Sequence, residues 1–150
     1  MKFYLGGGAI PLHSYLKETQ KMALKLTLKP NEKTIIGGAV LSNGNPKNCN
    51  LIVENNVPVL RQKDILSEED AVTPCSRIYF VIQLMYIDEE NLSTHHHTYW
   101  NLVRELLDAA PSRTGYIDQI NEHILSGRYY QALKLASGLI NYEQEVLKHV

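Results

Sequence analysis

The side chains with the most chemistry to offer are a histidine triplet, two cysteines, an acidic cluster and six separated bases. His95-His96-His97 are metal ligands by type. On a helix, however, consecutive positions point about 100° apart, so the three cannot converge on one ion; a polar helix face and no metal are expected. Cys49 and Cys75 are too few for a disulfide framework or a four-cysteine zinc site and read as reduced thiols. Cys75 falls just inside an expected helix start, where a thiol pKa can drop, but no histidine base is paired with it by spacing. Asp64, Glu68, Glu69 and Asp70 read as acids at a helix start. Gly37-Gly38 lacks the spacing and the Lys-Ser/Thr of a phosphate loop, and no dinucleotide fingerprint occurs. No enzyme activity and no cofactor are expected.

The bases are distributed more informatively. Lys25, Lys29, Lys33, Lys47, Arg61 and Lys63 all lie within 22–63, opposed there by Glu32 and Glu54, for a net +4; 64–150 carries −7, and the whole 150-residue chain −1. A basic half joined to an acidic half implies two different surfaces. The basic half suits a polyanion, with phosphate contacts from Lys, Arg and loop amides as the expected mechanism. Tyr79, Phe80 and Tyr86 fall in the most apolar stretch and are expected in a core, so stacking on bases is not indicated.

The elements that must position these residues can be read from period and punctuation. The first 21 residues, with a glycine triplet and no sustained period, are expected to be an extension or alternative start, loosely docked, with Met22 as the natural start. From Leu24 the apolar residues alternate with polar ones, the signature of a half-buried strand. Further strands are expected at 34–41, with Gly37-Gly38 as a mid-strand bulge, at 49–54 and at 57–60. Asn43-Gly44 reads as a turn suited to positive φ. The expected sheet core is Leu26, Leu28, Ile36, Val40, Leu51 and Val53. Thr73-Pro74 is a helix start for a central apolar helix ending near Ile87. Helices follow at about 93–109, with Trp100, Val103, Leu106 and Leu107 inward; at about 114–126, capped by Thr114 or Ser112 and closed by Gly127; and at about 129–148. The fold class is α+β: a small N-terminal antiparallel sheet or β-roll (22–63), then an acidic bundle of about four helices (64–150). An exposed sheet edge makes a homodimer through the β half attractive. Composition, 44% hydrophobic and 21% charged, excludes wholesale disorder. With no apolar run long enough to span a bilayer, a cytoplasmic protein without membrane contact is expected.

Specific strings carry further than period. Leu24-Lys-Leu-Thr-Leu-Lys-Pro30, Gly38-Ala-Val40, Asn43-Gly44, Pro58-Val-Leu-Arg-Gln-Lys-Asp-Ile-Leu66, Thr73-Pro74, Arg77-Ile-Tyr-Phe80, Gln83-Leu-Met-Tyr86, Tyr129-Tyr-Gln-Ala-Leu-Lys134 and Leu139-Ile-Asn-Tyr-Glu143 occur in the order found in the FlbT family of flagellar biosynthesis repressors. From Met22 onward the chain resembles that family. The resemblance implies a post-transcriptional repressor of flagellum biogenesis that associates with the 5′ untranslated region of flagellin mRNA, blocks its translation and promotes its decay, without being an enzyme. It brings no RNA-contact residues with it, so the six bases above are the candidates. The alternative is a regulator that binds flagellin or a flagellin chaperone, its RNA effect being indirect. In that case a groove between the last two helices, at Tyr130, Leu139 and Tyr142, is the expected contact.

Overall fold

A computed structural model describes residues 2–5, 8–11 and 23–149. The chain divides into two compact units, Met1–Lys63 and Asp64–Val150; the first holds the described strands and the second the described α-helices, an α+β composition.

In the first unit, β1 (Lys2–Leu5) pairs antiparallel with β2 (Gly8–Pro11), Lys2 opposite Pro11. Sequence reading assigned no element to this stretch. The expectation of a loosely docked extension falls, for 12–22, outside the described residues. β3 (Leu24–Leu28) pairs antiparallel with β6 (Cys49–Val53), Leu26 opposite Leu51. β4 (Lys33–Ile36) is the middle strand of a third sheet, between β5 (Ala39–Ser42) and β7 (Val59–Arg61).

The stretch expected as one bulged strand is a tight hairpin instead. Ile36 faces Ala39 across Gly37 and Gly38, at φ 58° and 85°. Two successive residues at positive φ make the two-residue turn whose twist matches the strands it joins, and glycine adopts it without a Cβ clash. The hairpin resets the inward register. Ile35 is buried, Ile36 is half-buried, and Val40, expected in the core, is 66% exposed. Leu26, Leu28 and Val53 are buried as expected, Leu51 is half-buried, and Leu60 joins the core. Buried Thr34 satisfies its hydroxyl by donating to the Leu60 carbonyl at 3.0 Å.

Neither Asn43 nor Gly44 has positive φ, contrary to expectation; among the described residues the non-glycine residue that does is Asn31, at 63°. Asn43 works through its side chain. Its buried amide donates to the Leu28 and Lys47 carbonyls at 3.0 and 2.9 Å and accepts from the Asn45 N–H at 2.9 Å. Its backbone accepts from the Asn31 N–H and donates to the Glu32 carbonyl. One residue thus ties the β3–β4 turn to the β5–β6 loop.

In the second unit, α1 (Pro74–Ile87) starts where expected. Thr73 and Ser76 form a reciprocal capping box with Pro74 in the first turn, the arrangement that satisfies orphan N–H donors at a helix start. Cys75, Ile78, Tyr79, Val81, Ile82 and Met85 are buried, which makes α1 the central helix. Buried Gln83 pins the preceding segment by exchanging two hydrogen bonds with the Leu66 backbone, at 2.8 and 2.9 Å. In α2 (Leu92–Ala109) Val103 and Leu106 are buried as expected and Leu107 is half-buried, while Trp100 is 36% exposed and Tyr99 turns inward in its place. In α3 (Thr114–Leu125) Thr114 is the first helical residue rather than the cap, its hydroxyl donating to the Pro111 carbonyl. Gly127 follows the helix at φ 72°, as a C-terminal glycine does. α4 (Tyr129–Lys148) buries Ala132, Leu133, Ala136 and Leu139.

Tyr116 of α3 donates from its hydroxyl to the Leu135 carbonyl of α4. That hydroxyl lies 2.0 Å from where a Cβ on Gly138 would sit. In an open helix Gly→Ala stabilises by about 1 kcal/mol. Here Gly138→Ala is expected to destabilise by about 1–2 kcal/mol, because the added methyl evicts a bonded tyrosine from a packed interface. Gly115→Ala, with nothing within 4 Å of its Cβ, is expected not to destabilise. Urea unfolding of the two variants checks the opposite signs.

Candidate nucleic-acid interface

Two of the six candidate bases, Lys29 and Lys63, share one cleft, and the backbones or side chains of Lys33, Lys47 and Arg61 are bonded to the segments beside it. The Lys33 N–H donates to Gln62 Oε1 at 2.7 Å, extending the β4–β7 ladder in which Thr34 faces Arg61. Arg61 Nη2 donates to the Thr27 carbonyl at 3.3 Å, which fixes the guanidinium beside β3. The Asn43 amide brings the Lys47 backbone to the end of β3. Lys29 and Lys63 lie on the rim of an open cleft of about 500 Å³, lined also by Pro30, Asn31, Glu32 and Gln62. Lys25 stands apart, near the other end of β3, on the exposed face that Thr27 and Asn50 share through a 2.9 Å side-chain hydrogen bond. Neither of the two ion pairs among the described residues involves any of the six. Their charges are thus left available for phosphate.

Asn31, Gln62, Thr27 and Asn50 complete this surface and were missed from sequence. Asn31 carried a turn signal in Pro30-Asn31-Glu32; Gln62 carried none, because its neighbours come from β4, about thirty residues earlier in the chain.

The expected groove at Tyr130, Leu139 and Tyr142 is not formed. Leu139 is 1% exposed, inside the core. The Tyr130 ring packs against Tyr86 with centroids 5.6 Å apart, and Arg113 stacks 3.9 Å over the Tyr142 ring. A different recess, of about 320 Å³, lies between α1 and α2, floored by Phe80, Val81, Leu84 and Leu102 with Arg77 and His95 among its lining.

The remaining reactive groups have local partners. His95 pairs with Asp88 at 2.8 Å, His96 with the Tyr129 hydroxyl at 3.1 Å, and His97 with Asn101 at 3.4 Å. Three separate partners are what three positions about 100° apart allow. Hydrogen bonds from Asn91 and then His95 hold the Asp88 carboxyl below its ordinary pKa. Cys75 does not show the lowered pKa that a helix start can give. Burial, and then the Glu143 carboxylate that accepts its backbone N–H at 3.3 Å, push the thiol up to about 12. It is therefore held as a neutral thiol, whatever the helix N-terminus contributes. Tyr79 donates to the Asp64 carbonyl at 2.6 Å, and burial raises its phenol to about 12. Among the described residues, no group of three or more His, Cys, Asp or Glu could hold a metal, and no helix is long and apolar enough to cross a membrane.

Comparison with known proteins covers nearly the whole described chain. The model of a family described as flagellar protein FlbT matches residues 24–147. A probable flagellum biosynthesis repressor protein FlbT 1 from Bradyrhizobium diazoefficiens is 46% identical over 125 residues, 83% of this chain and 85% of that protein. A probable flagellum biosynthesis repressor protein FlbT from Caulobacter sp. strain K31 is 37% identical over 131 residues, 86% of this chain and 99% of that protein. The flagellum biosynthesis repressor protein FlbT of Caulobacter vibrioides is also 37% identical over 131 residues, covering 86% and 92%. No solved structure matches.

Proposed function

This chain belongs to the FlbT family of flagellar proteins, and on that premise we propose that it represses flagellum biogenesis after transcription, by binding the 5′ leader of flagellin mRNA through the basic end of its first unit. The observation that carries this reading is an open cleft rimmed by Lys29 and Lys63, with Arg61 held beside β3 and the Lys33 and Lys47 backbones bonded to the neighbouring segments, none of the five in an ion pair among the described residues, in the half of the chain that bears net +4. Phosphate contacts of this kind position an RNA and make its binding salt-dependent. The test is titration of the purified protein with the flagellin leader and with a scrambled RNA of equal length, at two salt concentrations. Leader-selective, salt-sensitive binding is expected. Equal binding to both RNAs, or none, sinks the reading and moves the primary ligand to flagellin or its chaperone.

The edge of β5 supports a homodimer. All four of its residues are exposed, including Val40 and Leu41. Because Ile36 and Ala39 flank the two-residue turn as a hydrogen-bonded pair, Val40 and Ser42 direct their N–H and C=O groups away from β4. Two copies pairing antiparallel, Val40 against Ser42, would place Leu41 opposite Leu41 of the second copy. Leu41→Cys, with Cys49→Ser, is then expected to form a dimer-linking disulfide under mild oxidation. A sedimentation mass of one chain at high concentration, with no cross-link, discards the dimer.

A further inference from the structure

We infer that the cleft at the β3–β4 turn receives one unpaired guanine of the RNA, its Watson–Crick edge held by Glu32 and Gln62 while Lys29 and Lys63 take the flanking phosphates. This rests on the RNA-binding reading and makes a separate claim about how the site selects a base.

Glu32 is the anomaly in the cleft. It is the acid among the cleft's bases, yet it enters no ion pair with them among the described residues. Its polar partner is the Lys29 backbone N–H, which donates to Oε1 at 2.9 Å. The carboxylate is thereby fixed with most of its lone pairs unspent. A site built for phosphate alone gains nothing from a fixed carboxylate, which repels the anion. A carboxylate only accepts hydrogen bonds, so its counterpart must present N–H donors.

Gln62 supplies the complementary group. Its Oε1 is taken by the Lys33 N–H at 2.7 Å, which settles the orientation of the amide and leaves its NH2 to donate into the cleft. Glu32 and Gln62 both line the cleft, so it offers an acceptor and a donor together. Guanine presents two adjacent donors, N1–H and N2–H, beside an acceptor, O6. Adenine, cytosine and uracil each offer a single donor next to a ring or carbonyl acceptor, and a carboxylate would set its second oxygen against that acceptor. Pro30 contributes an apolar ring face where other RNA modules use an aromatic one. A base inside a duplex could not present this edge, so the guanine must be splayed from a single strand.

The full chain would be titrated by fluorescence anisotropy with labelled uridine oligomers about twelve nucleotides long, a length one small domain can track. These would carry one central guanosine, adenosine, cytidine or no substitution. The guanosine oligomer is expected to bind about tenfold tighter than the others, as a good base-edge pair discriminates. Glu32→Gln should cut that preference to about twofold or less with the salt slope unchanged. Gln62→Ala, at an exposed position, should weaken the preference and serves if Glu32→Gln does not fold. Four oligomers binding alike, with salt-sensitive affinity, overturn the guanine site and leave RNA binding standing. Leader RNA binding with no oligomer bound also overturns the guanine site. No binding of any RNA by folded protein overturns both.

Discussion

Reversing charge at Lys29 and Arg61 together is expected to lower affinity for the flagellin leader at least about tenfold near physiological salt. It should also flatten the plot of log affinity against log salt by about 1.4, two single-strand phosphate contacts at about 0.7 each. Lys29 rims the cleft, and Arg61 rests by one nitrogen on the Thr27 carbonyl, so its charge has no protein counterion among the described residues. Lys29 is exposed and Arg61 half-buried, so far-UV circular dichroism should report an intact fold. The Arg61→Glu change forfeits one weak hydrogen bond, about 1 kcal/mol. A control reversal at Lys134, which lies on α4 of the acidic unit 5.0 Å from the Tyr130 ring, should leave affinity unchanged. Unchanged affinity in the folded double variant would discard this end of the molecule as the RNA site. An equal loss in the control would reduce the effect to net charge.

The helices were legible because their ends are written locally. Thr73 and Pro74, Pro111, and Gly127 at φ 72° are terminators whose chemistry acts within one turn. What sequence reading missed was set at longer range. Whether Tyr99 or Trp100 turns inward depends on the rotation of α2 against its neighbours, and adjacent positions differ by only about 100°. Gly37-Gly38 fits a bulge or a hairpin equally well. The choice is made by β4 pairing with β5 on one side and β7 on the other, and it decides that Ile35 is buried and Val40 is not. The direction of the Cys75 pKa was not legible, because its environment is dominated by burial and by Glu143, 68 residues further on. The candidate site shows the same division. The bases were visible as residue types, but the placement of their segments depends on Arg61 lying opposite Thr34 and on Asn43 binding both Leu28 and Lys47. The role of Glu32 was invisible, since only the structure shows that an acid between two lysines in sequence engages a backbone N–H instead of their side chains.

The largest effect on stability among the candidate residues is expected from Leu139→Ala, a loss of about 2–5 kcal/mol read as a lower urea midpoint. Leu139 is 1% exposed on the stripe of α4 that also buries Ala132, Leu133 and Ala136. Truncation leaves a cavity that two alanine neighbours on the same stripe are too small to fill. Tyr142→Ala is expected to cost only about 1 kcal/mol, because the half-buried ring contributes mainly its contact with Arg113, 3.9 Å above it. The contrast separates two accounts of the same face. If Leu139 lined an open groove, its truncation would leave the midpoint unmoved and abolish only partner binding. If it is core, its truncation lowers the midpoint and weakens every activity at once, flagellin capture included. A binding defect in a Leu139 variant therefore cannot identify a flagellin contact unless stability is measured beside it. Tyr130 and Tyr142, each half-buried and replaceable at small cost, are the positions where loss of a partner would mean loss of a contact.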